Sequence, residues 1–307
     1  MSFFIRKRLF TTTVQMNIVK KLTVIGGGLM GSGIAQVAAQ TGHNVTLVDL
    51  SPQILNRAVK QIDLSLTKVA KTLYRDNSVE ADQFIYASKD RLKVSTDASK
   101  AVEDSDLVIE AIVESIDAKH ALFKILDEAA PPKTIFASNT SSLNISEIAA
   151  PVKRKDRFGG MHFFSPVPVM KLLEVIRTPD TSEEAHNKMM ACGRAMKKVC
   201  IACKDTPGFI VNRLLLPYMS EAMKMLERGD ATPQDIDLAM KLGAGYPMGP
   251  FELADYVGND ISLAVLQTWN RKYPNDPAFQ VSGVLKKLVQ ENKLGCKTGE
   301  GFYKYSK

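Results

Sequence analysis

The stretch from Lys21 to Asp49 limits what this chain can fold into more than any other. Leu22 to Ile25 is a short apolar, β-branched run, which predicts a buried strand. Gly26-Gly27-Gly28-Leu29-Met30-Gly31 follows, then an Ala- and Gln-rich segment to Thr41 that reads as a helix, with Gly42 as its stop signal. Val45 to Val48 is a second apolar strand, and Asp49 stands at its end. Strand, glycine turn, helix, strand and acid in that order predict a parallel sheet wound with helices.

Each glycine has a mechanical task in such a unit. Gly26 permits the sharp turn, Gly28 lets backbone approach a pyrophosphate, and Gly31 lets the helix pack close to the strand. The helix N-terminus then presents free N–H groups and a positive dipole end to the phosphates. Asp49 lies at the reach expected of a carboxylate that bonds ribose hydroxyls. A 2′-phosphate would be repelled there, and Leu50 and Ser51 offer no arginine to hold one, so NAD is expected rather than NADP. Gly26, Gly28, Leu29, Met30, Gly31 and Asp49 are the cofactor residues of this first motif.

Bulk properties narrow the class. The chain has 307 residues, 45% hydrophobic and 24% charged, which suits one large or two ordinary soluble domains. No apolar run approaches membrane-spanning length. The net charge of +7 is unevenly spread: residues 1 to 48 hold Arg6, Lys7, Arg8, Lys20 and Lys21 and no acid, and the remainder is nearly neutral. A nucleic-acid partner is therefore not expected. Residues 1–16, basic, Thr-bearing and acid-free, have the composition of a mitochondrial targeting segment. The four cysteines make no disulfide framework. Cys200 and Cys203 sit in a run that reads as a buried strand, where residues three apart face opposite ways, so no metal site is expected.

After Asp49, Ser51-Pro52 starts a long amphipathic helix with Ile54, Ala58, Ile62, Leu66, Val69 and Leu73 on one face. Its other face carries Arg57, Lys60, Lys68 and Lys71, with Ser65 among them. This excursion is a solvated basic face or a landing site for an anionic, phosphate-bearing substrate tail. The β/α alternation then resumes. Asp106 to Ile112 and Thr134 to Ala137 read as further strands. Glu114 with Lys119, and the run Asn139 to Ser142, fall at strand carboxyl ends, where open α/β sheets bind ligands.

Phe158 to Phe164 and Leu172 to Ile176 read as strands broken by Ser165-Pro166 and Pro168. A strand–turn–strand of this length folds back, bringing His162 and Glu174, twelve apart, side by side. A carboxylate beside an imidazole fixes its tautomer and orientation, which suits a general base. The sheet ends near Lys204, and the pattern thereafter is helical, with Asn212 early in the first helix. Leu214, Leu215, Leu216 and Met219 suggest a partner surface, and hence a homodimer through this region. The expected organisation is a targeting segment (1–16), a Rossmann-type doubly wound domain with a long helical excursion (17–204), and an all-α domain for substrate and dimerisation (205–307).

These motifs together resemble the mitochondrial short-chain L-3-hydroxyacyl-CoA dehydrogenases. The likeness runs from Lys21 to Tyr305 and rests on Gly26–Gln36, Ser138–Leu143, His162–Val175, Cys203–Arg213, Gly245–Gly258 and Lys297–Tyr305. It implies NAD-dependent oxidation of (S)-3-hydroxyacyl-CoA to 3-ketoacyl-CoA in fatty-acid β-oxidation, in the mitochondrial matrix. By matching position it implies His162 as general base, Glu174 as its partner, and Ser141 and Asn212 as bonds to the C3 oxygen. Glu114, Lys119, Asn139, Ser141, Ser165 and Lys297 would join Asp49 in the NAD site, and Ser65, Lys68 and Lys71 would meet the CoA end. Two positions depart from the pattern: Ser165 stands where the family has Asn, and Thr72 where it has a lysine. Two other readings fit parts of the chain. One is a gulonate-type sugar-acid dehydrogenase, which needs no CoA site. The other is a non-catalytic dinucleotide-binding structural protein of the lens-crystallin kind.

Overall fold

The computed structural model describes residues 19–306, so the expected targeting segment lies outside the described residues. Contacts divide the chain into two compact units. The first holds the residues up to Thr140 and Ile145–Lys204; the second holds Ser141–Asn144 and everything from Asp205.

The first unit alternates as the apolar pattern predicts. It runs β1 (Lys21–Ile25), α1 (Leu29–Gln40), β2 (Asn44–Val48), α2 (Pro52–Leu73), α3 (Ser78–Asp90), β3 (Leu92–Ser95), α4 (Ala98–Val102), β4 (Leu107–Glu110), α5 (Ile116–Ala129), β5 (Ile135–Ser138), α6 (Ile145–Ile148), β6 (Phe158–Phe163), β7 (Leu172–Arg177), α7 (Glu183–Ala195) and β8 (Val199–Lys204). One eight-stranded sheet results, in the order β3-β2-β1-β4-β5-β6-β7-β8. Every pairing is parallel except β6 with β7. The winding direction reverses between β1 and β4, which opens a crevice beyond their carboxyl ends.

Ser51 caps α2 by accepting from Ile54 N, with Pro52 in the first turn. Leu55, Ala58, Ile62, Leu66 and Ala70 of α2 are buried, whereas Leu73 is exposed. The reading of the Cys200–Cys203 segment as a buried strand needs correction. β8 is the edge of the sheet, with Val199 and Ile201 exposed. Its apolar composition reflects one covered face, not two.

The second unit is helical: α8 (Val211–Arg228), α9 (Pro233–Ala244), α10 (Pro250–Val257), α11 (Asn259–Lys272) and α12 (Gly283–Gln290). Its core gathers Leu216, Met219, Phe251, Leu266, Trp269 and Phe279. Here too the sequence reading shifts. Leu216 and Met219 are interior, and of the four positions expected to form a partner surface Leu214 is the exposed one. Other exposed large apolar side chains of this unit include Leu238, Leu242, Tyr246, Tyr256 and Ile261. A helix's apolar stripe shows where burial occurs, but not whether its own domain or a partner supplies the cover.

Candidate active site

The glycine turn has the geometry its residues imply. Gly26 has φ +110°, and a Cβ there would run into Ala111 O; a Cβ on Gly31 would run into Gly26 O. Gly28, by contrast, opens onto empty space, with nothing within 4 Å of where its Cβ would be. It is also the N-cap of α1 and supplies no side-chain cap. An open helix N-terminus without a side-chain cap fits a pyrophosphate. Leu29 is exposed beside it and Met30 packs against the core. Asp49 closes the turn: Oδ2 accepts from Gly27 N at 2.8 Å and Oδ1 from Ser51 N at 3.1 Å.

Across the crevice, the end of β4 carries a buried ionic cluster. Lys119, on α5, is 1% exposed, and its Nζ reaches Glu110 Oε1 at 2.6 Å and Glu114 Oε2 at 3.2 Å. Glu110 also accepts from Ile112 N at 2.8 Å and from Ser138 Oγ at 2.6 Å. Thr140 donates its hydroxyl to Glu114 Oε1. Asn139 bridges strands: its N–H reaches Glu110 O at 2.8 Å, and its Oδ1 accepts from Phe163 N at 2.9 Å.

β6 and β7 pair antiparallel in the register His162↔Glu174. The two side chains meet through Nδ1 and Oε2 at 2.7 Å, both buried. The turn between the strands is pinned by Lys198, whose Nζ donates to Met170 O at 2.7 Å and to Val167 O. Ser165, in this turn, is exposed. Cys203 pairs with Ile176 in the parallel register, two positions beyond Ile201, the partner of Glu174. Burial, together with the Glu174 charge, pushes its thiol up to about 12, so it stays protonated near neutral pH.

Other expected residues fall in the second unit. Asn212 Nδ2 donates to Ser141 O at 3.2 Å, and Trp269 Nε1 holds the same short segment through Ser142 O at 3.2 Å. Lys297 is exposed and pairs with Asp260 Oδ2 at 2.6 Å. In the first unit, a cavity of about 620 Å³ opens between α1, α2 and the β6–β7 turn. Ser65, Lys68 and Thr72 line it with Leu29, Ser32 and Val167. Lys71 is exposed on the same helix but does not line it.

Two domain models match this chain: the NAD binding domain of 3-hydroxyacyl-CoA dehydrogenase over residues 21–206, and its C-terminal domain over 208–305. The chain belongs to the 3-hydroxyacyl-CoA dehydrogenase family. It is 56% identical to the human mitochondrial hydroxyacyl-coenzyme A dehydrogenase, across 94% of this chain and 92% of that one. A probable 3-hydroxybutyryl-CoA dehydrogenase of Bacillus subtilis is 43% identical, across 94% and 98%. Among solved structures, (S)-3-hydroxybutyryl-CoA dehydrogenase from Ralstonia eutropha superposes with a TM-score of 0.88 at 38% identity, covering 94% of this chain and 100% of that one.

Within this family's frame, sequence reasoning passed over Glu110 and gave no individual role to Ser138 and Thr140, which join the strand ends into one network with it. A signal was present: Glu110 ends the otherwise apolar run Leu107-Val108-Ile109, and Lys119 follows nine residues later on the inward face of a helix. A buried carboxylate within reach of a buried ammonium is rarely incidental, because neither charge is buried without compensation.

Proposed function

We propose that this chain oxidises (S)-3-hydroxyacyl-CoA to 3-ketoacyl-CoA with NAD, as a step of fatty-acid β-oxidation, with His162 as general base. The observation that carries the reading is the 2.7 Å contact of His162 Nδ1 with Glu174, in a sheet whose first strand ends at the open Gly28 turn. Glu174 is acceptor-only when ionised, so Nδ1 carries the proton that it receives. Nε2 is then the nitrogen that takes the C3 hydroxyl proton. Glu174 stabilises the imidazolium that results and holds the ring against rotation. Ser141 and Asn212 bond the C3 oxygen. Gly26, Gly28, Gly31 and Asp49 hold the dinucleotide, with Glu114, Lys119, Asn139, Ser165 and Lys297 as its further contacts. The bound cofactor supplies the hydride acceptor.

Ser65 and Lys68, on the lining of the 620 Å³ cavity, are the proposed contacts of the CoA portion, with Lys71 outside the lining. The exposed apolar positions Leu238, Leu242, Tyr246 and Tyr256 support a homodimer through the helical unit. The acid-free segment 1–16 supports import to the mitochondrial matrix.

The decisive test is turnover of acetoacetyl-CoA, followed by loss of NADH absorbance. His162→Gln is expected to lower kcat by roughly 10²–10⁴-fold, with NADH affinity unchanged. A variant that turns over like the wild type removes His162 from the reaction.

A further inference from the structure

We infer that Glu110 is a positioning residue of the cofactor site: it holds the Lys119 ammonium in place, so that Glu114 is presented to the dinucleotide instead of being drawn inward as that ammonium's counter-ion. The inference rests on the cofactor reading of Glu114 given above.

Three observations carry it. The first is reach. Lys119 touches two carboxylates, Glu110 at 2.6 Å and Glu114 at 3.2 Å. An ammonium this deeply buried must have a counter-ion. The fully buried Glu110 makes the shorter contact, whereas the Glu114 side chain remains 38% exposed. Were Glu110 neutral, Glu114 would be the other carboxylate already within reach of Lys119.

The second is rigidity. Glu110 is fixed on both oxygens, by Ile112 N and Lys119 on Oε1 and by Ser138 on Oε2. It thereby links the ends of β4 and β5, which pair in the register Glu110↔Ser138. A carboxylate held by three donors has little freedom to follow the ammonium, so the ammonium follows it.

The third is place. Glu110 ends β4 opposite Ile25, the last residue of β1, at the point where the winding reverses. The next residue, Ala111, donates its N–H to Ile25 O at 2.7 Å and has its carbonyl against Gly26. The cluster therefore abuts the glycine turn itself, and a change in its charge balance acts where a dinucleotide would lie.

The test is NADH titration by fluorescence on four variants: Glu110→Gln, Glu114→Gln, the double variant, and Ser138→Ala. Each is accompanied by urea unfolding and by the KM for acetoacetyl-CoA at saturating NADH. Glu114→Gln and Glu110→Gln should each raise the NADH Kd roughly tenfold, and the double variant should bind no worse than either single one, because both changes remove the same contact. The KM for acetoacetyl-CoA should stay put. Ser138→Ala, which loosens Glu110 without altering charge, should raise the Kd less, and it serves where Glu110→Gln does not fold. A rise with Glu114→Gln but none with Glu110→Gln, or two effects that add, overturns the positioning role. A Glu114→Gln variant that binds NADH like the wild type overturns the underlying placement of Glu114 instead, and this inference with it.

Discussion

Both units bury carboxylates, but they neutralise them differently. In the first, Glu110 is balanced by an ammonium carried on a long, aimed side chain. In the second, Asp255 and Asp237 lie almost wholly buried and take their hydrogen bonds from uncharged donors. Asp255 accepts from Phe302 N, Tyr303 N, the Asn259 amide and the Tyr305 hydroxyl, all at 2.9–3.0 Å. Asp237 accepts from Phe251 N, Glu252 N and the Tyr303 hydroxyl. Burial and the neighbouring carboxylates push both tyrosine hydroxyls well above their ordinary range, so each remains a donor. The bonds of Asp255 divide evenly between backbone and side chains and fix the C-terminal segment after Lys297. Those of Glu110 go largely to side chains at a strand end. One arrangement builds fold; the other aims a functional group.

The comparison breaks most easily at the ammonium. Lys119→Met leaves Glu110 buried without a cation, which should cost about 3–5 kcal/mol of stability. The double change Glu110→Gln with Lys119→Met should recover most of that loss, because a neutral pair needs no compensation. Urea unfolding followed by circular dichroism measures both. If the double variant is no more stable than Lys119→Met, the pair is not balanced charge against charge, and the contrast between the units fails.

Asp255→Ala should come next in size. It strands the backbone N–H groups of Phe302 and Tyr303, at roughly 2–4 kcal/mol in sum. The chain has one tryptophan, Trp269, and it is buried in the second unit, so its fluorescence reports that unit. A Trp269 unfolding midpoint unmoved by Asp255→Ala would mean that the acid does not hold the helical unit together.

How much of this was legible in the chain follows the same divide. The glycine turn could be read because its constraint is local: φ at Gly26 and close packing at Gly31 concern neighbours in sequence. The His162–Glu174 contact could be read because a short turn sets the register of two strands, and register decides which side chains meet. The Glu110–Lys119–Ser138 network was harder to read, because it joins three elements and its signal in the chain, Glu110 closing an apolar run, does not name the partners. The same reason hid the interior placement of Leu216 and Met219, and the grouping of Ser141–Asn144 with the helical unit, where Asn212 and Trp269 hold it. Periodicity states that a face is covered; the cover itself is tertiary.

The smallest expected effect sharpens the contrast from the side of histidine. His43, 3% exposed, is a buried base with no carboxylate partner among the described residues: Nδ1 lies 3.1 Å from Ala38 O and Nε2 lies 3.9 Å from Cys192 Sγ. Burial lowers its pKa from the ordinary 6.5, against the partial pull of the Ala38 carbonyl. Below pH 6.5 the unfolded chain therefore binds a proton that the folded chain resists. The stability His43 contributes is complete above that pH and is lost as pH falls, at a slope of at most about 1.4 kcal/mol per unit. His186, lowered by burial and by Arg177, adds to the same slope. His43→Gln should flatten this acid-side loss between pH 6.5 and 5 in urea titrations, while His186 retains its share. A slope that survives the substitution unchanged would place the acid sensitivity elsewhere.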